Sequence, residues 1–174
     1  DERGRARFKR RMRDDRRRLA WIAQSDDLTG ILNRRGLDFK LGRMMRPGPE
    51  RPVALLVVDI DRFKAYNDSL GHAAGDQCLR AVAGALRRAT DLIGRYGGDE
   101  FLIVLPDMGR RGAVLVAEEC RQAIENLKIP HPAAPGGFVT VSIGLTDAFP
   151  ERAMGLAELG AGIEEADRAL YRAK

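Results

Sequence analysis

Apolar positions in the 174-residue chain follow several rhythms, and each predicts an element. In the first two dozen residues they are sparse. Phe8, Met12, Leu19 and Ile22 keep a 4-3-4-3 spacing if Asp15 fills the remaining seam position. This short heptad pattern predicts a helix over residues 1–24, read either as a solvated helix or as the end of a coiled-coil connector from an upstream domain. After Ser25-Asp26-Asp27, where either aspartate can cap a turn, Asn33 stands before a predicted helix Arg34–Met45. Its Leu37, Leu41 and Met44 share one face, and Pro47, Gly48, Pro49 and Pro52 close it. The run Val53-Ala54-Leu55-Leu56-Val57-Val58 is continuous rather than alternating. Pro52–Ile60 therefore reads as a strand buried on both faces.

A short helix (Arg62–Leu70) and a long one (about Ala74–Thr90) follow on either side of Gly71-His72. Leu79, Val82, Leu86 and Ala89 form the buried stripe of the long one. Leu92–Tyr96 and Phe101–Leu105 then flank Gly97-Gly98-Asp99-Glu100, a hairpin signal. An amphipathic helix (Arg111–Asn126), a proline-rich loop (Pro130–Gly137), an alternating strand (Phe138–Leu145) and a closing helix (Leu156–Ala173) complete the order. One hairpin embedded among alternating strands and helices predicts an α+β fold with a mixed central sheet flanked by helices. The order strand, helix pair, hairpin, helix, strand matches a ferredoxin-like βαββαβ core.

Charge sharpens the division into leader and body. The net charge is +5, yet residues 1–18 hold ten Arg or Lys against four Asp or Glu, which leaves the rest at −1. A duplex-binding protein is expected to carry its positive charge on the folded body, so no DNA or RNA duplex partner is expected. No apolar run exceeds six residues, far short of the ~18–20 that a spanning helix needs. The basic leader has no apolar stretch behind it and does not read as a signal peptide. The domain is expected in the cytoplasm, whether or not a longer protein that begins ahead of Asp1 is membrane-anchored. Cys78 and Cys120 lack metal-ligand spacing and read as buried thiols.

The candidate chemistry lies in acidic residues. If the hairpin packs beside the first strand, Asp59 at that strand's end meets Asp99 and Glu100 at one edge of the sheet. Like charges gathered there call for a cation. Hard carboxylate oxygens without His or Cys suit Mg²⁺ working with substrate phosphates. Spacing alone leaves another reading open, with Asp99-Glu100 as a solvated turn and Asp59 as a strand-end cap. Lys64 likewise reads as a surface lysine, Asp76 as a helix N-terminal carboxylate, and Arg88 with Asp91 as a helix-end ion pair worth little. His72 reads as a packing or loop-ordering residue, and His131 and Trp21 carry no functional assignment.

Gly97-Gly98-Asp99-Glu100-Phe101 spells the signature of the GGDEF family of diguanylate cyclases, and the resemblance runs through residues 25–174. Asp26-Asp27-Leu28-Thr29-Gly30-Ile31-Leu32-Asn33-Arg34-Arg35 resembles the family's opening block. Asp59-Ile60-Asp61-Arg62-Phe63-Lys64, Asn67-Asp68 and Gly71-His72-Ala73-Ala74-Gly75-Asp76 resemble its next run. Val139–Gly144 and Ala166–Lys174 resemble its late strand and closing helix. Five blocks in order are far more specific than one five-letter string.

The resemblance implies a fold related to nucleotide cyclases and the polymerase palm. It implies condensation of two GTP into cyclic di-GMP and two pyrophosphates across a face-to-face homodimer, with Mg²⁺, or Mn²⁺ in its place. Asp59, the Ile60 carbonyl, Asp99 and Glu100 would hold metal, and Asp99 or Glu100 would accept the proton. Phe63, Lys64, Gly97, Gly98 and Lys174 would meet the nucleotide, while Asn67 and Asp76 would read guanine. Arg88 and Asp91, joined by Arg121, would form a product-inhibition site for cyclic di-GMP. An upstream sensory domain is the expected partner of the leader. The competing readings are a non-catalytic module that binds GTP or cyclic di-GMP, and a structural dimerisation module, which leaves the carboxylates unexplained.

Overall fold

Helices cover both faces of a five-stranded sheet in a computed structural model that describes residues 2–44, 52–148 and 160–173. In chain order the elements are α1 (Glu2–Gln24), β1 (Leu32–Asn33), α2 (Arg34–Met44), β2 (Val53–Ile60), α3 (Phe63–Leu70), α4 (His72–Leu86), β3 (Ile93–Arg95), β4 (Glu100–Pro106), α5 (Arg110–Glu125), β5 (Val141–Ala148) and α6 (Gly160–Ala173). The strand order is β1-β3-β4-β2-β5. β2 is antiparallel to both β4 and β5, and β3 is antiparallel to β4. Without β1 this is the expected ferredoxin-like arrangement.

β2 lies between two partners, and all eight of its residues are buried. Its side chains alternate between two cores. Ala54, Leu56, Val58 and Ile60 pack with Phe101, Ile103 and Leu105 of β4 under α3, α4 and α5. Val53, Leu55 and Val57 pack with Leu102 and Val104 under α2 and α6. A continuous apolar run is thus required because both faces are covered.

β1 was not expected. It adds two residues parallel to β3 at the sheet edge, too few to show any periodicity. The late strand is Val141–Ala148 rather than Phe138–Leu145, because residues before it close a loop. Val139 donates to the Ile129 carbonyl at 2.9 Å, and Pro130 bridges Phe138. α4 ends at Leu86, so Ala89 is exposed instead of completing the buried stripe. The predicted helix residue Met45, Pro47 and Pro49, the first turn expected over 156–159, and Lys174 lie outside the described residues.

The opening block splices α1 to the body. The Asn33 carboxamide donates to the Ala23 and Ser25 carbonyls at 3.1 and 3.0 Å, and its Oδ1 accepts from Gly36 N–H at 2.8 Å, capping α2. A side-chain carbon at Gly36 would collide with the Gln24 carbonyl. α1 itself exposes Phe8, Met12, Leu19 and Ile22, the residues of the heptad pattern.

Candidate active site

Register brings the acidic groups together. Asp59 at the end of β2 is the direct partner of Glu100 at the start of β4. Asp59 continues the row of Val53, Leu55 and Val57, and Glu100 heads that of Leu102 and Val104, so both lie on one face of the sheet. Asp59 is only 7% exposed. The Ile60 N–H donates to the Asp99 carbonyl at 3.3 Å, which ties the hairpin tip to the end of β2.

Asp99 lines the neighbouring pocket. Among the described residues no three acidic, His or Cys side chains form a ready-made metal cage. The donor set still fits Mg²⁺, which usually takes one or two carboxylates and completes its shell with water and phosphate. Asp59 and Glu100, with the Ile60 carbonyl beside them, are the residues that would hold it. Asp61 is otherwise engaged, since its carboxylate accepts from the Thr140 and Ser142 hydroxyls, each at 2.6 Å.

The pocket has a volume of about 470 Å³ and lies between α3, α4 and the hairpin tip. Phe63, Lys64, Asn67, Asp76, Gly98 and Asp99, all expected site residues, line it. His72 lines it too and is exposed, which sets aside the packing half of its expected packing or loop-ordering role. Gly75 makes room for Asn67, because a Cβ there would run into the Asn67 carboxamide oxygen. That oxygen is buried and has no hydrogen-bond partner within the protein.

The two hairpin glycines serve different ends. A Cβ at Gly97 would stand 2.6 Å from a Glu100 carboxylate oxygen, so Gly97 leaves space for that acid. Gly98 has open space around it and faces the pocket. Neither has a left-handed backbone.

Arg95 escaped the sequence reading. Its Nε and Nη2 donate to the Gly98 carbonyl, and its Nη1 lies 3.3 Å from the Asp26 carboxylate. Asp26 accepts in turn from Thr29 N–H at 2.9 Å and the Thr29 hydroxyl at 2.6 Å. Burial works against the Asp26 charge, but the Thr29 hydroxyl and amide and the Arg95 guanidinium outweigh it and hold the carboxyl below its ordinary value. Arg34 lies 4.8 Å over the Tyr96 ring, a second link from the opening block to the hairpin. An arginine immediately before Tyr-Gly-Gly was the available signal.

The expected inhibition site is not brought together in the same way. Arg88 lines a groove of about 710 Å³ between α4 and α5, whereas Asp91 lines a smaller cavity beside Trp21 and Lys40. Arg121 lines neither. It is gripped by Glu118 and Glu125 on its own helix, at 2.8 Å each. The Arg121 and Gln122 side chains hold the Glu118 carboxyl down to about 2.

A ferredoxin-like sheet with carboxylates at the end of its central strand and a polar pocket under the adjoining hairpin defines a domain of the nucleotide-cyclase and polymerase-palm class. Comparisons with known proteins narrow it. The sequence pattern of the family described as "Diguanylate cyclase, GGDEF domain" matches residues 23–174. The chain is 40% identical over 165 residues to diguanylate cyclase DgcP of Pseudomonas aeruginosa, a match covering 87% of this chain and 22% of that protein. It is 37% identical over 171 residues to diguanylate cyclase TpbB of the same species, covering 94% and 38%. The coiled coil and GGDEF domain of Caulobacter crescentus DgcB, solved with c-di-GMP, superposes with a TM-score of 0.79 at 29% identity, covering 95% of this chain and 88% of that one. The chain belongs to the GGDEF diguanylate cyclase domain family. It spans between about a fifth and two fifths of the length of these curated relatives. Among the described residues, no helix is long and apolar enough to cross a membrane.

Proposed function

We propose that this domain condenses two GTP molecules into cyclic di-GMP, releasing two pyrophosphates. The observation that carries the reading is one pocket holding Lys64, Asn67, Asp76, Gly98 and Asp99, set beside the Asp59–Glu100 pair. Asp76 accepts from the N1–H and exocyclic amine of guanine, and adenine, with an acceptor at N1, is repelled. Asn67, with its free carboxamide oxygen, completes the base contact. Lys64, the α3 amides near Phe63, and Lys174 meet the phosphates. Asp59, Glu100 and the Ile60 carbonyl, with Asp99 at hand, would hold Mg²⁺, or Mn²⁺ in its place, which would offset charge on the triphosphate and make the 3′-hydroxyl more acidic. Asp99 or Glu100 takes that proton. Each 3′-oxygen then bonds to the α-phosphorus of the other nucleotide as pyrophosphate leaves.

One GTP held per domain requires two protomers face to face. The exposed seam of α1 supports pairing through that helix, and the DgcB neighbour's own coiled coil is in keeping with it. We assign residues 1–24 as a connector to a sensory domain and residues 25–174 as the cyclase domain, working in the cytoplasm. Product inhibition by cyclic di-GMP is assigned to Arg88 and Asp91, with ligand binding drawing the two together and Arg121 joining only if it leaves its glutamates.

Incubation with GTP and Mg²⁺, followed by chromatography, tests the reading. Cyclic di-GMP is expected from the wild type and none from Asp59→Asn or Glu100→Gln, with unchanged circular dichroism. No cyclic product from wild-type protein that still binds GTP would favour a non-catalytic regulatory module.

A further inference from the structure

The link between β2 and α3 passes through Arg62, which sits in the left-handed region at φ 55 and ψ 32. A side chain there is strained and persists only where its surroundings impose it. Here they come from β5 and the segment ahead of it. Thr140 and Ser142 hold the Asp61 carboxylate, and the Thr140 carbonyl accepts from Asp61 N–H at 3.0 Å. The Arg62 carbonyl takes two partners, Tyr66 N–H at 3.0 Å and Nε2 of His131 at 3.3 Å.

His131 is fully buried, with its ring edge-on to Tyr66 at 5.1 Å. A carbonyl only accepts, so Nε2 is the donor in this contact. Nδ1 has no partner. A ring needed only for packing would cost less as phenylalanine, because a buried nitrogen without a partner is unfavourable. The imidazole is thus accounted for by its bond to Arg62.

We propose that His131 is a positioning residue for triphosphate binding: by donating to the Arg62 carbonyl it holds the left-handed turn that aims the first α3 amides at the substrate's phosphates. His131 lies outside the nucleotide pocket, so the effect of its hydrogen bond passes through the backbone of residues 60–63, while its ring contact with Tyr66 is kept in the phenylalanine variant. The inference rests on the nucleotide reading given above, and it distinguishes the phosphate end of the substrate from the guanine end.

The test compares binding of a non-hydrolysable GTP analogue and of guanosine to wild type, His131→Phe and His131→Gln, with Mg²⁺ present. Gln places an N–H close to the Nε2 position; Phe keeps the ring and removes the donor. His131→Phe is expected to weaken the GTP analogue about tenfold, the order of one hydrogen bond, and to leave guanosine unchanged. His131→Gln recovers most of the loss, and in turnover KM for GTP rises while kcat holds. Equal weakening of both ligands, no weakening, or failure of Gln to rescue would overturn the proposal. If His131→Phe does not fold, His131→Asn replaces it, since Asn carries its amide near Nδ1 and should behave as the unrescued variant. A wild type that binds guanosine as tightly as the GTP analogue would instead remove the nucleotide reading itself.

Discussion

Arg95 and Gly98 are joined twice, through Nε and Nη2 of the guanidinium to one carbonyl oxygen at 3.1 and 2.7 Å. The third nitrogen of the same group reaches Asp26, so the hairpin tip is pinned to the turn that follows α1. Gly98 and Asp99 both line the pocket proposed for the nucleotide, and the pin therefore sets one of its walls. Removing a hydrogen-bonding charge of this kind costs about 1.5–3 kcal/mol. Arg95→Ala is expected to lower kcat/KM for GTP roughly 10- to 100-fold while the fold persists, as steady-state kinetics and circular dichroism would measure.

Asp26 adds a pH dependence. Its folded-state value lies below the ordinary 3.8, so it contributes stability that is present above that value and lost as pH falls through the folded one. Asp26→Asn should be less stable than wild type at pH 7, and the gap should close in acid below about pH 4. Urea melts across that range would check it; a gap independent of pH would reject the assignment.

Gly75→Ala should push the Asn67 carboxamide out of place. Weaker GTP binding is expected with little change in melting temperature, because alanine suits a helix better than glycine. Asp76→Asn makes the complementary change and should narrow the preference for GTP over ATP by roughly 10-fold or more, the order of a lost charge-assisted bond. Competition binding with both nucleotides reads each effect.

Arg88 and Arg121 should behave differently. Arg88→Ala is expected to relieve inhibition by cyclic di-GMP in a progress-curve assay. Arg121→Ala should leave the inhibition curve nearly unchanged, because Glu118 and Glu125 already occupy its guanidinium. Equal effects of the two would mean that Arg121 leaves its own helix on ligand binding.

The sequence was readable wherever a motif and a period agreed. The unbroken run of β2 announced a strand covered on both faces, and the glycine pair announced the hairpin, which together brought Asp59 to the same sheet edge as Asp99 and Glu100; the register that sets Asp59 opposite Glu100 came from the structure. What stayed hidden depended on distance in the chain. Arg95 meets Asp26, 69 positions away, and His131 meets Arg62 across the same separation. No local pattern reports such pairings. β1 owes its strand character to β3 and to a single bridge from Ser25, and the lysine, asparagine and aspartate of the pocket were legible only through the resemblance to a family.

The splice between α1 and the body has a consequence for torsion. Asn33 grips the carbonyls around the end of α1, Gly36 lets α2 press against Gln24, and Asp26 is anchored through Arg95. The helix is therefore not a tether on which the domain can swivel. For any segment fused ahead of it, each residue inserted turns that segment by about 100° and moves it about 1.5 Å relative to the hairpin. Spacer length then acts as an angular dial, and only lengths that restore the original phase would leave two paired copies looking into one another's clefts.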